Sequence, residues 1–294
     1  MPDTNRPMGT DYSPSILVTG AAGNLGREVA DRLQAHGARV RCLVRHQTGP
    51  RPAVESVVGD LTDPMVFRAA LQGIDAVFLI WPLLDSSPAH PVVAELIAAA
   101  PRVVYVSSTA IDDEADRQSD PIVQVHADME VLLRDAGLRP VVLRSDTLAS
   151  NARGWAAQLR AGNVIAGSDV ARTAVVDERD VADAAVAVLL APHHAQLDLS
   201  PYVLTGPEVL SRADQVARLG AALQRPLSFQ PLPADLARSQ MLADGRPERL
   251  VEALLAASVS RLESNRTTDH VERLTGRPAG TFARWVIDHV AEFG

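Results

Sequence analysis

From Ser15 onward, short apolar and β-branched runs alternate with stretches in which apolar residues recur every three or four positions. That rhythm predicts a doubly wound parallel α/β sheet. Ile16-Leu17-Val18-Thr19 reads as a strand buried on both faces that leads straight into Gly20. The following helix carries Leu25, Val29 and Leu33 on one face and stops at Gly37, a residue suited to a helix C-terminus. Further strands are predicted over Arg39–Val44, Val54–Val58, Asp75–Trp81, Arg102–Ser107 and Val141–Leu143. Helices are predicted from Asp63-Pro64, over Val92–Ala100, and over Pro121–Ala136. Asp followed by Pro places a capping oxygen ahead of a residue that needs no N–H partner.

Past Asn151 the rhythm loosens. A helix over Trp155–Ala161, a strand at Ala174–Val176, a helix over Asp180–Leu190 and a strand at Tyr202–Thr205 continue the sheet. The remainder reads as helices over Ala213–Leu223, Pro233–Leu242, Arg246–Ala257 and Thr281–Glu292. The expected organisation is a flexible leader over 1–14, a Rossmann-type core over 15–150, and a mixed region over 151–294. The last of these completes the sheet (about 174–206) and forms a small, mostly helical C-terminal substrate lobe.

Composition narrows the function classes. With 47% hydrophobic and 22% charged residues, the 294-residue chain has the make-up of a globule with a sizeable core. Its net charge is -8 and no basic stripe recurs, which argues against nucleic acid as a partner. No apolar run is long enough to span a bilayer, so no membrane partner is expected. A single cysteine, Cys42, suits a reducing cytoplasm. All 28 basic residues are arginines, which removes every lysine-based chemistry. The richness in Ala, Arg and Val suits a GC-rich bacterial genome. His193-His194, beside Pro192, reads as a surface turn, and no metal site is expected. The partner expected is a small molecule; a homodimer is an option that no pattern decides.

Gly20-Ala21-Ala22-Gly23-Asn24-Leu25-Gly26 lies between the first strand and the first helix. Glycines there let the backbone approach a pyrophosphate, while the helix N-terminus offers free N–H groups to the anion. Gly20, Ala22, Gly23, Asn24, Leu25 and Gly26 are therefore the predicted dinucleotide cradle. In such sheets ligands bind beyond the carboxyl ends of the strands. At the end of the second strand, where an acidic residue would bind a ribose hydroxyl, stands Arg45, whose planar fork suits a 2′-phosphate. His46 and Arg41 add positive potential, so NADP(H) is the expected cofactor.

The Gly-x-x-Gly-x-x-Gly spacing behind Thr19 resembles the short-chain dehydrogenase/reductase superfamily, in its atypical NmrA-like branch. The resemblance extends through Val44-Arg45, Gly59-Asp60-Leu61, Val106-Ser107-Ser108, His126 to Glu130, Val142-Leu143-Arg144, Asp177 to Val181, Leu204 to Glu208 and Val271 to Pro278. It implies that Asp60 contacts the adenine amino group, and that Leu61, Ile80, Trp81 and Ser107 line the cofactor. It also places Asn151 and Trp155, with Trp81, toward the substrate. Where most such reductases have Tyr-x-x-x-Lys, this chain has His126 and Glu130. The proton donor then has several readings. His126 is the acid, oriented by Glu130 and assisted by Ser108; or the acceptor is quinone-like and needs little proton assistance. Each residue also has a plainer role open to it: His126 as a packed boundary residue, Glu130 as a solvated ion-pair partner, the serines as strand-end hydrogen-bonders, Trp81 as a core plug. At the level of the protein, an NADPH-dependent reductase of a quinone or ketone, within secondary metabolism, stands beside a dinucleotide-sensing regulator and a non-redox isomerase or cyclase.

Overall fold

Every residue of the first strand, Ser15–Thr19 (β1), is buried, as a central strand covered on both faces must be. The computed structural model describes residues 13–46, 54–192, 197–261, 263–264 and 266–294. Residues 1–12 of the expected leader, and His193-His194, lie outside the described residues.

The chain runs on through α1 (Asn24–Ala35), β2 (Arg39–Val44), β3 (Val54–Val58), α2 (Pro64–Ala70), β4 (Ala76–Leu79), α3 (Ala89–Ala99) and β5 (Arg102–Ser108). Next come α4 (Pro121–Asp135), β6 (Val141–Ser145), a 3₁₀ segment over Ala149–Trp155, α5 (Ala156–Ala161), β7 (Val164–Gly167), α6 (Glu178–Leu189) and β8 (Tyr202–Leu204). The final part holds α7 (Arg212–Leu223), β9 (Ser228–Pro231), α8 (Ala234–Ala243), α9 (Glu248–Ser260), α10 (His270–Thr275) and α11 (Phe282–Asp288). Asp63 and Asp120 cap α2 and α4, each accepting from two backbone N–H groups ahead of a proline.

Seven strands form one parallel sheet in the order β3-β2-β1-β4-β5-β6-β8. One face is closed by α1, α6 and α10 through Leu25, Val29, Leu33, Val181, Val188 and Val271. The other is closed by α2, α3 and α4 through Phe67, Val92, Leu96, Met129 and Leu133. This is the expected Rossmann-type architecture, with Cys42 buried in β2. A third cluster, built on Trp155, Leu159, Ile165, Leu219, Phe282, Trp285 and Phe293, is the core of the mostly helical C-terminal lobe.

Three local expectations change. Ala174–Val176 is buried but is no strand: its backbone makes single bridges, Leu148 with Val176 and Thr173 with Leu210, before Asp177 caps α6. The lobe gains a small parallel sheet of β7 and β9, and a short helix, α10, that sequence periodicity did not announce. Residues 149–155, just ahead of α5, form a 3₁₀ segment, so Trp155 closes one helix type and caps the next.

Candidate active site

The junction of β1 and α1 is organised around one carbonyl. The Gly23 N–H donates to the Gly20 oxygen at 2.9 Å, and a Cβ on Gly26 would sit only 2.3 Å from that same atom. Gly20 itself is left-handed (φ 66°), a conformation that favours glycine. Its position is set by Thr19, whose hydroxyl accepts from the Ile80 N–H at 2.7 Å and so ties the ends of β1 and β4 together. Ile80 consequently packs on Gly20, 3.2 Å from where a Cβ would lie. Ala22, Gly23 and Asn24 are exposed at the start of α1, which has no side-chain cap and no acidic residue in its first turn. An uncapped, exposed helix start of this kind fits a dinucleotide pyrophosphate. Leu25 and Leu61 turn their side chains into the core, so they can serve a ligand only through their backbone.

Beside this loop, Arg45 is exposed just past the end of β2, and Asp60 just past β3. Hydrogen bonds from the Thr62 N–H and hydroxyl, both 2.8 Å to Oδ1, hold the Asp60 carboxyl below its ordinary pKa, with the Arg45 charge adding to the effect. Arg45 makes no hydrogen bond or ion pair among the described residues, and His46 is exposed beside it. Arg41 does not join them. It pairs with Glu55 at 2.8 Å and donates to the carbonyls of Ala70 and Gln72, on the other side of the strand.

At the opposite end of the cleft the expected His126–Glu130 partnership does not form. Glu130 is buried and receives Nε and Nη2 of Arg144 at 2.9 and 2.8 Å, and the Ser107 hydroxyl at 2.5 Å. Arg144 also grips Asp113 with both Nη atoms, at 2.7 and 2.6 Å, which straps the loop after β5 onto β6. Glu130 is therefore neither solvated nor hydrogen-bonded to His126, and the Ser107 hydroxyl is engaged with Glu130. His126 is bonded through Nδ1 to the Tyr105 hydroxyl at 3.0 Å. Burial, the largest influence, lowers its pKa to about 4; Glu130 and Asp120 pull upward and Arg261 pushes further down. The ring is neutral near pH 7. Ser108, half-buried at the very end of β5, accepts from the Ala110 N–H at 3.2 Å and keeps its own proton to donate.

Two aromatics expected in the pocket belong to the cores. Trp81 is buried among the residues under α3, and its indole N–H donates to the Asp85 carbonyl at 2.9 Å. Trp155 is buried in the lobe. Asn151, on the 3₁₀ segment, is exposed beyond β6. The feature that sequence reading passed over is the joint between lobe and core. Arg261, just past α9, donates from Nε and Nη2 to the Asp120 carboxylate at 3.1 and 2.9 Å. The residue that caps α4 is thus also the anchor of the lobe beside His126.

A Rossmann sheet with this loop defines a nicotinamide-dinucleotide protein, and comparison with known proteins agrees. Residues 20–192 match a family model described as NAD(P)H-binding. Over 288 residues the chain is 36% identical to a (4-alkanoyl-5-oxo-2,5-dihydrofuran-3-yl)methyl phosphate reductase of Streptomyces griseus, covering 95% of this chain and 99% of the relative. It is 31% identical to an NAD(P)H azoreductase of Xenophilus azovorans, again over 95% and 99% of the two chains. Its fold also superposes on an NADPH-dependent quinone oxidoreductase of Escherichia coli with a TM-score of 0.73 at 23% identity, covering 94% and 99%. The chain belongs to the NAD(P)H-binding family.

Proposed function

We propose that the protein is an NADPH-dependent reductase of a conjugated, electron-poor small molecule such as a quinone or enone. Membership of the family and the two full-length relatives named as reductases support an NAD(P)H-dependent reductase. Exposed Arg45, in the place of a ribose-binding carboxylate, supports NADPH over NADH. The cradle of Gly20 to Gly26 would hold the pyrophosphate, with Asp60 at the adenine. Bound there, the reduced nicotinamide supplies a hydride.

The observation that carries the choice of acceptor is the neutral, Tyr105-bonded His126. Hydride addition to an isolated ketone builds a localised alkoxide and needs an acid in the same step. A conjugated acceptor spreads the arriving charge over several atoms and needs only a hydrogen bond. Ser108 offers one, and solvent completes the protonation. The substrates named for the two relatives are of this kind: a C=C bond conjugated to two carbonyls, and an azo bond. With Cys42 as the one cysteine of the sequence, a reducing cytoplasm is a suitable setting.

The test is anaerobic NADPH oxidation with 1,4-naphthoquinone, an enone and cyclohexanone in parallel. Turnover of the first two without the third is expected, with Ser108→Ala about tenfold slower and His126→Ala closer to the parent enzyme. Dinucleotide binding with no turnover of any acceptor would give the molecule to the sensor reading instead.

A further inference from the structure

We infer that Glu178 is a positioning residue of the reductase: it fixes the 3₁₀ segment Ala149–Trp155, which walls the substrate side of the cleft beyond β6. The inference rests on the reductase reading above. Fully buried, Glu178 acts through that segment and not on a ligand.

Glu178 is the first residue of α6, and three donors converge on its carboxylate. The Ser150 N–H reaches Oε2 at 3.1 Å, while Nη1 of Arg153 and the Trp285 indole N–H reach Oε1 at 3.0 and 3.1 Å. Ser150 and Arg153 lie on the 3₁₀ segment and Trp285 on α11, so one side chain joins a core helix, the segment and the lobe. Arg153 extends the joint. Its Nε and Nη2 hold Glu292, in the C-terminal turn Val290–Phe293, at 2.6 and 3.2 Å. Its guanidinium lies over the Trp285 ring, 5.4 Å from the centroid.

A 3₁₀ run of seven residues is longer than its hydrogen-bond geometry usually sustains, so it depends on outside partners. Its entry is fixed by backbone: the Ala149 N–H donates to the Val176 oxygen at 2.8 Å, and the Val176 N–H to the Thr147 oxygen at 3.0 Å. From Ser150 to Arg153 the partner is Glu178. A buried carboxylate is costly unless it is paired and hydrogen-bonded, which narrows the geometry this one tolerates. Its base is firm, because Val181, Ala184, Ala185 and Val188 bury α6 against the sheet.

The segment follows directly on the place of the proposed hydrogen-bond donor. Ser145, the last residue of β6, stands opposite Ser108 in the parallel register, and the Thr109 N–H donates to the Ser145 oxygen at 3.2 Å. The chain then enters the segment, past the carboxyl end of the strand, where ligands of such sheets bind. Ala149, Ser150 and Ala152 are buried, and Asn151 stands exposed among them. Glu178 therefore sets the height and rotation of Asn151 relative to Ser108. A displacement of about 1 Å in a positioning group is enough to spoil the alignment of a bound acceptor. The Gly20–Gly26 loop follows β1, three strand positions away in the sheet, about 14 Å at the usual spacing. Loosening the segment should weaken the seat of the acceptor and spare that of the dinucleotide.

The experiment compares Glu178→Gln with the parent in two readouts. The substitution keeps the side chain's size but leaves one acceptor oxygen for three donors. In steady-state kinetics, KM for 1,4-naphthoquinone should rise about tenfold while KM for NADPH stays within about twofold. In hydrogen exchange of the NADP⁺-saturated protein, read by mass spectrometry, residues 147–155 should exchange about tenfold faster and residues 15–35 at the parent rate. Asp180→Asn is the control. It breaks another buried carboxylate of α6, bonded to the Gly280 N–H and to Arg277 at 2.7 and 2.6 Å, and should leave the quinone KM where it was. Should Glu178→Gln fail to fold, Arg153→Met carries the test, since it removes the ties to Glu178 and Glu292 at a half-buried site. Parallel losses for quinone and NADPH, the same loss in Asp180→Asn, or an unmoved quinone KM would reduce Glu178 to a structural role and overturn the inference while the reductase stands. Where the parent reduces no quinone, the reductase reading falls; faster exchange confined to 147–155 then retains the tie, and unchanged exchange overturns it as well.

Discussion

Nε and Nη2 of Arg144 hold the two oxygens of Glu130 at 2.9 and 2.8 Å, and both side chains are buried. Glu130 stands on α4, one turn after His126, and its partner Arg144 comes from β6. The pair also draws in the Ser107 hydroxyl and Asp113. The pair therefore belongs to the architecture, and the Ser107 hydroxyl with it, while Ser108 takes no part in it. Breaking a buried pair from one side strands a charge. Glu130→Gln should cost about 3 kcal/mol in urea unfolding, the low end for such changes because Asp113 still binds Arg144. Glu130→Lys, combined with His126→Tyr, should destabilise the protein further and give no gain in ketone reduction, since the new ammonium would meet Arg144. A stable double variant with raised ketone turnover would contradict this assignment.

The pKa of His126 gives stability a defined acid limb. The unfolded chain protonates its histidine near the ordinary value of 6.5, whereas the folded protein holds it neutral until about 4. Between these values the unfolded state binds more protons, so stability falls as the pH is lowered through that window. The loss levels off below about 4, where both states are protonated. Its size is on the order of 3 kcal/mol. His126→Phe should flatten the 6.5-to-4 limb in denaturant titrations, and NMR titration of the parent should show the His126 ring neutral at pH 6.

Cofactor choice should depend on Arg45. It is exposed and makes no hydrogen bond or ion pair among the described residues. Arg45→Ala should raise KM for NADPH by about 10- to 100-fold, the value of one or two charge-assisted hydrogen bonds, and leave KM for NADH nearly unchanged. Equal losses for both dinucleotides would mean that Arg45 shapes the loop instead of reading the 2′-phosphate.

How far the sequence discloses this molecule depends on how local each cause is. The strands β1, β4, β5 and β6 are legible because two-sided burial forces continuous apolar runs. The starts of α2 and α4 are legible because Asp-Pro carries its own cap. The His126–Glu130 reading fails for a non-local reason: i,i+4 spacing brings two residues to one helix face, but Arg144 arrives from another element and takes the carboxylate. Trp81 and Trp155 sit at element ends, where an aromatic suits a pocket and a core equally, and only packing decides. The strands β7 and β9 are four residues each with mixed exposure, too short for a period to register.

The tightest local constraint in the cradle yields the last prediction. A methyl on Gly26 would lie 2.3 Å from the Gly20 carbonyl oxygen, and 2.6 and 2.9 Å from the next two backbone atoms. All of these are backbone, so no side chain can swing aside. At Gly23 the corresponding contact with that oxygen is 3.3 Å, which a small shift relieves. The loop and the first turn of α1 must therefore separate in Gly26→Ala, at a cost of about 1–3 kcal/mol, the usual range for overpacking. With the pyrophosphate on the displaced N–H groups, as proposed above, dinucleotide affinity should fall by at least 30-fold, for NADPH and NADH alike. Gly23→Ala should lose no more than a few-fold. Fluorescence titration of the reduced dinucleotides against both variants measures this directly. The common loss for both cofactors in Gly26→Ala separates a cradle defect from the NADPH-selective loss expected of Arg45→Ala. Full affinity in Gly26→Ala would place the pyrophosphate away from this loop.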